Sequence, residues 1–333
     1  MLQTLDLPTI DDVYAAAKVL DGHAVRTPLI SSPVLDEMTG GRIFLKAECL
    51  QRTGSFKFRG AFNAMHHAGE QGEKFGIVAA SSGNHAQGVA EAARLKGYQA
   101  TIIMPSDAPQ TKKDRTMRSG ATIVEYDRAT EDREALLVEM AKKTGGYAIH
   151  PYESFHVIAG QGTCGLEMAQ DAQAMGLDVD EVLVCAGGGG LLAGVTLAIK
   201  DHFPNANVRT VEPEGYDDQR ISHETGERVR VNTSEPSICD AILTPMPGER
   251  SFAICYGNLA PGLTATDDAI LKAMAFAYEE LKLVVEPGGI VTLAALMAGK
   301  LDVKGKTVMA TISGGNVDPQ LTARALAENR AAA

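Results

Sequence analysis

From residue 75 to residue 150, short apolar runs of strand length alternate with longer amphipathic stretches, and this alternation restricts the fold more than any other feature. Phe75 to Ala80, Thr101 to Met104, Ala121 to Tyr126 and Tyr147 to Ile149 read as strands. Between them lie a helix ending at Lys96, a basic helix from Gln110 and an amphipathic helix over Glu131 to Lys143. Strand and helix in turn build a parallel, doubly wound sheet, because a parallel neighbour needs a long crossover. A second group repeats the pattern. Arg42 to Ala47, Glu181 to Cys185, Val208 to Val211 and Thr307 to Ser313 read as strands. Gly160 to Ala172, a helix ending at Phe203, Asp268 to Lys282 and Ile290 to Met297 read as helices. Thr9 is placed to cap a first helix to Leu20. Gly226 to Met246 contains proline and reads as a long loop.

At 333 residues the chain exceeds one small core, so two domains, or one large α/β domain with an insertion, are expected. The net charge of −11 argues against nucleic acid and against an anionic membrane surface, since both need a basic face. The five cysteines (Cys49, Cys164, Cys185, Cys239 and Cys255) form no CxxC pair and are expected as reduced thiols. Met1 to Ile10 lacks the basic flank of a secretory leader. Ile290 to Met297 is too short to span a membrane. The expectation is a soluble, cytoplasmic enzyme or binding protein.

Two strand-to-helix turns are built to bind anions: Ser81-Ser82-Gly83-Asn84-His85 and Gly187-Gly188-Gly189-Gly190. A helix N-terminus offers free N–H groups and the positive end of a dipole. Four glycines let a backbone approach a phosphate without a side-chain clash. The plain alternatives are an ordinary N-cap for the first and a flexible connector for the second. A sharper rival is dinucleotide binding. Gly188-x-Gly190-x-x-Ala193 follows a strand, and Glu212 ends the next strand at the spacing of a ribose-binding acid. That reading, an NAD-binding oxidoreductase, leaves Lys57 and the Ser81 turn unexplained.

Lys57 lies between Phe56 and Phe58 after Thr53-Gly54-Ser55. Apolar flanks desolvate an amine, lower its pKa and free it as a nucleophile. A surface lysine on an amphipathic helix is the ordinary alternative. Ser55-Phe56-Lys57-Phe58-Arg59-Gly60-Ala61 resembles the cofactor-lysine motif of the fold-type II pyridoxal-5'-phosphate (PLP) enzymes, the threonine dehydratase and serine racemase family. The likeness runs through the chain in the family's order: Ser81 to Gly88, Ile158 to Thr163, Gly187 to Gly190, Glu286-Pro287 and Ser313-Gly314-Gly315-Asn316.

The resemblance implies a two-domain fold like that of tryptophan synthase β, with parallel twisted sheets flanked by helices. Residues 1–75 and 151–333 would form the large PLP-binding domain, and 76–150 a small mobile domain that closes over the substrate. Lys57 would hold PLP as a Schiff base, then remove the Cα proton of the substrate. Phe56 and Glu286 would contact the cofactor, and Gly187, Gly188, Gly189 and Gly190 would hold its phosphate. Asn84 would meet the ring hydroxyl. Ser313 would face the pyridine nitrogen, leaving it largely neutral and favouring elimination over transamination. Ser81, Ser82, Gly83, Asn84 and His85 would hold the substrate carboxylate. Ser82 also matches the second acid/base of serine racemases. Glu212, the Tyr216 carbonyl and Asp218 match a divalent-cation site suited to Mg²⁺ or another hard cation. A homodimer is implied as well.

The implied reaction is elimination of water, then of ammonia, from a 3-hydroxy-α-amino acid, with either the cofactor phosphate or the lysine as acid for the departing hydroxyl. Serine, threonine and 3-hydroxyaspartate all remain open as substrates, and serine racemisation is the alternative activity. A dicarboxylate needs a cation near the β-carbon, for which Arg133, His150 and His156 are candidates. Cys239-Asp240-Ala241 departs from the usual Ala-Asp-Gly, and Tyr152 departs from the small polar residue of serine racemase. Asp240 and Tyr152 are therefore expected to shape the substrate pocket.

Overall fold

A computed structural model describes residues 5–232 and 236–332. The start of the N-terminal stretch, residues 233–235 of the expected long loop and Ala333 lie outside the described residues. In chain order the elements are α1 (Ile10–Leu20), β1 (Leu29–Ser31), α2 (Pro33–Thr39), β2 (Arg42–Ala47) and α3 (Lys57–Phe75). Next come β3 (Ile77–Ala80), α4 (Asn84–Lys96), β4 (Ala100–Pro105), α5 (Gln110–Arg118), β5 (Thr122–Tyr126), α6 (Arg133–Thr144) and β6 (Tyr147–Ala148). Then follow α7 (Phe155–Ala174), β7 (Glu181–Cys185), α8 (Gly190–His202), β8 (Asn207–Pro213), α9 (Asp218–Thr225) and α10 (Glu249–Cys255). The chain closes with β9 (Leu263–Ala265), α11 (Asp267–Glu279), α12 (Pro287–Met297), β10 (Thr307–Ile312) and α13 (Pro319–Ala332).

The strands form two sheets. The larger has the order β1-β2-β10-β7-β8-β9 and the smaller β5-β4-β3-β6. Every pairing is parallel except β1 with β2, an antiparallel edge. The four expected strands of the 75–150 region all lie in the smaller sheet. Helix α7 begins at Phe155, five residues before the start read from sequence. The short helices α9 and α10 were not anticipated, and α3 was considered only as the amphipathic helix of the ordinary alternative for Lys57.

Each sheet has its own core. Ile43, Leu45, Val182, Val184, Leu293 and Met309 lie in the larger. Phe58, Phe62 and Met65 of α3 join Val89, Ile102 and Met104 in the other. Helix α3 thus starts at Lys57 beside the larger sheet and buries its length in the core of the smaller one. Glycine lets α3 and α7 cross closely: a Cβ on Gly160 would lie 2.6 Å from the Arg59 carbonyl oxygen.

A buried ion cluster fastens the start of α3. Arg59 binds Glu48 through Nε at 2.8 Å and Nη2 at 2.7 Å, and Glu167 through Nη1 at 2.7 Å. Lys46 donates to Glu167 at 2.6 Å and to the Thr27 carbonyl at 2.6 Å. Two cations and two carboxylates balance. Burial alone would raise the Glu48 carboxyl, but the Arg59 guanidinium outweighs it and holds that group below its ordinary range. Removing one member strands the others in a dry site. Arg59→Met is expected to cost about 3–5 kcal/mol, read from urea unfolding of the cofactor-free protein; a cost below about 1 kcal/mol would show the cluster to be well hydrated.

Candidate active site

The carboxyl ends of β3, β4, β7 and β10 face one cavity of about 570 Å³ between the two sheets. Helices α4, α8 and α12 point their N-termini at it. This is where parallel α/β sheets place ligands.

Lys57 is the first residue of α3; it is half-buried, with its side chain lining the cavity. Its neighbour Phe56 donates its backbone N–H to the Ser313 carbonyl at 3.1 Å, which ties the lysine to the end of β10. The Lys57 Nζ donates to the Pro151 carbonyl at 3.1 Å and lies 5.1 Å from the centre of the Phe56 ring. Burial lowers its pKa from 10.5 to about 8, although Cys185 and Glu286 pull the other way.

Both glycine-containing turns line this cavity. At the second, side chains are excluded by contact: a Cβ on Gly188 would sit 2.3 Å from the Tyr152 ring, and one on Gly190 2.7 Å from Gln161 Oε1. Gly189 has φ +92°, a conformation glycine alone adopts readily. At the first turn, the Ser81 hydroxyl accepts the Gly83 N–H at 3.2 Å. The His85 ring is buried on the Ile149 carbonyl, 3.1 Å from Nε2, and burial drives its pKa to about 3. A neutral ring so engaged leaves the backbone N–H of residue 85 as its offering to an anion.

Asn84 is doubly held. Its Nδ2 donates to Glu286 at 2.6 Å and its Oδ1 accepts from Asn316 at 2.8 Å. Burial pushes the Glu286 carboxyl up to about 8. Ser313 is buried at the end of β10, beside the Cys185 thiol. Thr53, in the turn before Lys57, holds φ +64°, a costly position for a β-branched residue, and its carbonyl accepts from Asn316 at 2.8 Å.

The residues expected to set specificity divide. Arg133 and Tyr152 line the cavity, with the Arg133 charge close enough to oppose the upward push of burial on the Tyr152 phenol. Arg133 binds Glu134 at 2.6 Å, and Glu134 also lies 3.2 Å from His150 Nε2. Asp240 stands at the rim, paired with Lys112 at 2.5 Å. His156 is elsewhere, stacked on His67 with 3.8 Å between ring centres. Sequence reasoning did not single out Lys112, Arg115 and Arg128, which add positive charge to the cavity, or the Pro151 carbonyl that receives Lys57. Lone basic residues on α5 and in the loop after β5 carried no motif to mark them.

The dinucleotide reading fails on Glu212. Its carboxylate is fully buried and accepts the N–H groups of Gln219 at 2.8 Å and Arg220 at 2.9 Å, so it faces no ribose. Beside it both Asp218 oxygens are buried without a hydrogen-bond partner among the described residues. Burial pushes Asp218 up to about 8 and, with Asp218 as neighbour, Glu212 well above its ordinary range. No cluster of three His, Cys, Asp or Glu side chains stands ready for a metal ion among the described residues. No helix among them is long and apolar enough to cross a membrane.

A half-buried amine of lowered pKa, facing glycine-lined anion turns between two parallel sheets, defines an α/β enzyme that holds a phosphate-bearing carbonyl cofactor. The family model for pyridoxal-phosphate dependent enzymes matches residues 20–314, and the chain belongs to that family. It is 43% identical over 314 residues to an L-threo-3-hydroxyaspartate ammonia-lyase of a Pseudomonas species, covering 94% of this chain and 97% of the relative. It is 38% identical to the serine racemase of Schizosaccharomyces pombe, covering 98% and 100%. The crystal structure of a threonine deaminase from T.th. superposes with a TM-score of 0.87 at 40% identity, covering 93% of this chain and 99% of that one.

The cavity fits PLP: the amine is dry enough to lose its proton, and the glycine turn lies bare where a phosphate needs N–H donors. The rate at which cofactor-free protein takes up PLP should rise with pH through about 8, where Lys57 deprotonates, and level off above it. Stopped-flow absorbance reads this; a rise continuing toward 10.5 would mean an ordinary, solvated lysine.

Proposed function

We propose that this protein eliminates water from a 3-hydroxy-α-amino acid to give, after hydrolysis, a 2-oxo acid and ammonia. The observation that carries the reading is the Lys57 amine, half-buried and poised near pH 8 in the cavity that also holds both anion-binding turns. Bound PLP supplies the electron sink for the pair released when the Cα–H bond breaks.

The chain's own residues do the rest. The N–H groups of the Ser81–His85 turn hold the substrate α-carboxylate at the N-terminus of α4. Lys57 takes the Cα proton on Nζ; a lysine poised near neutrality does so at working pH, whereas one of ordinary pKa stays charged. Gly187 to Gly190 hold the cofactor phosphate. Ser313 presents a hydroxyl to the ring nitrogen and no fixed negative charge to keep a proton there. That weakens carbanion storage and favours loss of the 3-hydroxyl. The enamine released after elimination tautomerises and takes up water, so the water lost is regained as ammonia leaves.

For the substrate we favour 3-hydroxyaspartate, the compound for which the Pseudomonas relative is named. Arg133 lies in the cavity wall and, among the described residues, its ion pair is with its sequence neighbour Glu134, whose place a second substrate carboxylate can take. Serine and threonine lack that group. Racemisation is the second reading, favoured by the Ser82 hydroxyl in the same cavity. One panel separates these: ammonia release and enantiomer composition from serine, threonine and the 3-hydroxyaspartate isomers. Lys57→Ala should abolish every product. Arg133→Met should lower kcat/KM for 3-hydroxyaspartate roughly thirtyfold, the equivalent of about 2 kcal/mol for one charge-assisted hydrogen bond, and leave serine unchanged. Equal loss for both substrates would remove Arg133 from specificity.

Glu212, the Tyr216 carbonyl and Asp218 are proposed to hold a divalent cation such as Mg²⁺, supported by the unpartnered, buried Asp218 oxygens. The ion would supply positive charge where two buried carboxylates repel, a structural role outside the chemistry. Chelation should lower the melting temperature of wild type and leave Asp218→Asn unmoved; an unchanged wild-type melting curve would refute the site. A homodimer is also proposed, supported by exposed Val34 and Met38 four residues apart on α2; sedimentation velocity reads it.

A further inference from the structure

Two buried side chains outside the cavity lining grip the tetraglycine turn. Gln219, the second residue of α9, is fully buried, and its Nε2 donates to the Gly187 carbonyl at 2.8 Å. The amide orientation follows from the partner, since a carbonyl can only accept. Ser251 of α10 is also fully buried, and of the two carbonyls within reach of its Oγ, Gly188 at 2.7 Å is nearer than Gly248 at 3.1 Å and takes the proton. The Gly248 N–H reaches the same oxygen at 3.0 Å. The turn lies directly on both side chains: a Cβ on Gly189 would come within 2.6 Å of Gln219 Nε2 and 2.7 Å of Ser251 Oγ.

These contacts have a geometric consequence. A peptide unit is planar and trans, so its C=O and the N–H of the next residue point in opposite directions. Drawing the Gly187 carbonyl back onto Gln219 turns the Gly188 N–H the other way. Drawing the Gly188 carbonyl onto Ser251 does the same for the Gly189 N–H. Glycine has no side chain to hold such an orientation itself, and its backbone is the most mobile of any residue. Gln219 is in turn fixed, because Glu212 accepts the N–H groups of Gln219 and Arg220 at the start of α9.

We infer that Gln219 and Ser251 are positioning residues that preorganise the Gly188 and Gly189 N–H groups for the phosphate of PLP. The inference rests on the reading of Gly187 to Gly190 as the phosphate cradle. PLP and pyridoxal, which lacks the phosphate, are titrated into cofactor-free protein and followed by visible absorbance. Wild type should prefer PLP. Gln219→Met keeps the length of the side chain and removes the donor; Ser251→Ala removes the hydroxyl. Each should weaken PLP about tenfold, the scale of one lost hydrogen bond, leave pyridoxal unchanged and shift the ³¹P resonance of bound PLP. Should Gln219→Met not fold, Ser251→Ala decides alone. Equal weakening of PLP and pyridoxal would reveal a general structural role and overturn the inference, as would unchanged PLP affinity. A wild type with no preference for PLP would overturn the cradle reading itself, and the inference with it.

Discussion

Partial withdrawal of the Lys57 amine from water is the constraint around which the site is arranged. A partly desolvated ammonium is costly, and among the described residues its hydrogen bond goes to a neutral carbonyl, that of Pro151. The amine responds by favouring its uncharged form, the form that attacks an aldehyde and accepts a proton. Holding such a group requires a rigid base. The Arg59, Glu48, Glu167 and Lys46 cluster supplies it two residues away by joining the start of α3 and the end of β2 to α7. The hydrogen bond from Phe56 to Ser313 adds a second tie, to β10. Lys57 and Ser313 are thereby held at a fixed separation across one backbone hydrogen bond.

The same cavity manages negative charge by a different device. Backbone N–H groups at the N-terminal ends of α4 and α8 face it, and Lys112, Arg115, Arg128 and Arg133 stand farther along its wall. A helix N-terminus brings no mobile proton and no long side chain to order. A cationic side chain beside Lys57 would depress its pKa further, as Arg133 already does to a small degree. Arg133 stands on α6 beside its own counter-charge, Glu134, whose carboxyl His150 and Arg133 hold down near 2.

Much of this was legible from the residues. The alternation of strand and helix defined a parallel α/β fold, because side-chain periodicity is a local property and crossover length follows from it. β2 and β7 fall on the expected residues, and the ends of α4 and α8 within one residue. The glycine turns and the phenylalanine-flanked lysine were visible because their chemistry is carried by adjacent residues. Helix α7 started five residues earlier than read, while its Gly160, Gly162 and Gly165 serve close contact with α3 and α8, a role that local pattern does not mark. The Glu212 spacing imitated a ribose-binding acid until burial and two N–H donors showed where the carboxylate points.

The amino-acid order by itself determined the fold class, the lysine and the two glycine-containing turns, all encoded within a few consecutive positions. Tertiary structure alone decided that β2, β7 and β10 lie side by side, which brings residues 57, 188 and 313 to one cavity. It also decided that α3 belongs to the core of the smaller sheet, that His156 lies away from the site and that Gln219 stands beneath the glycines. The physical reason is that these contacts join residues far apart in the chain. Their geometry follows from sheet order and helix packing, which no local pattern records.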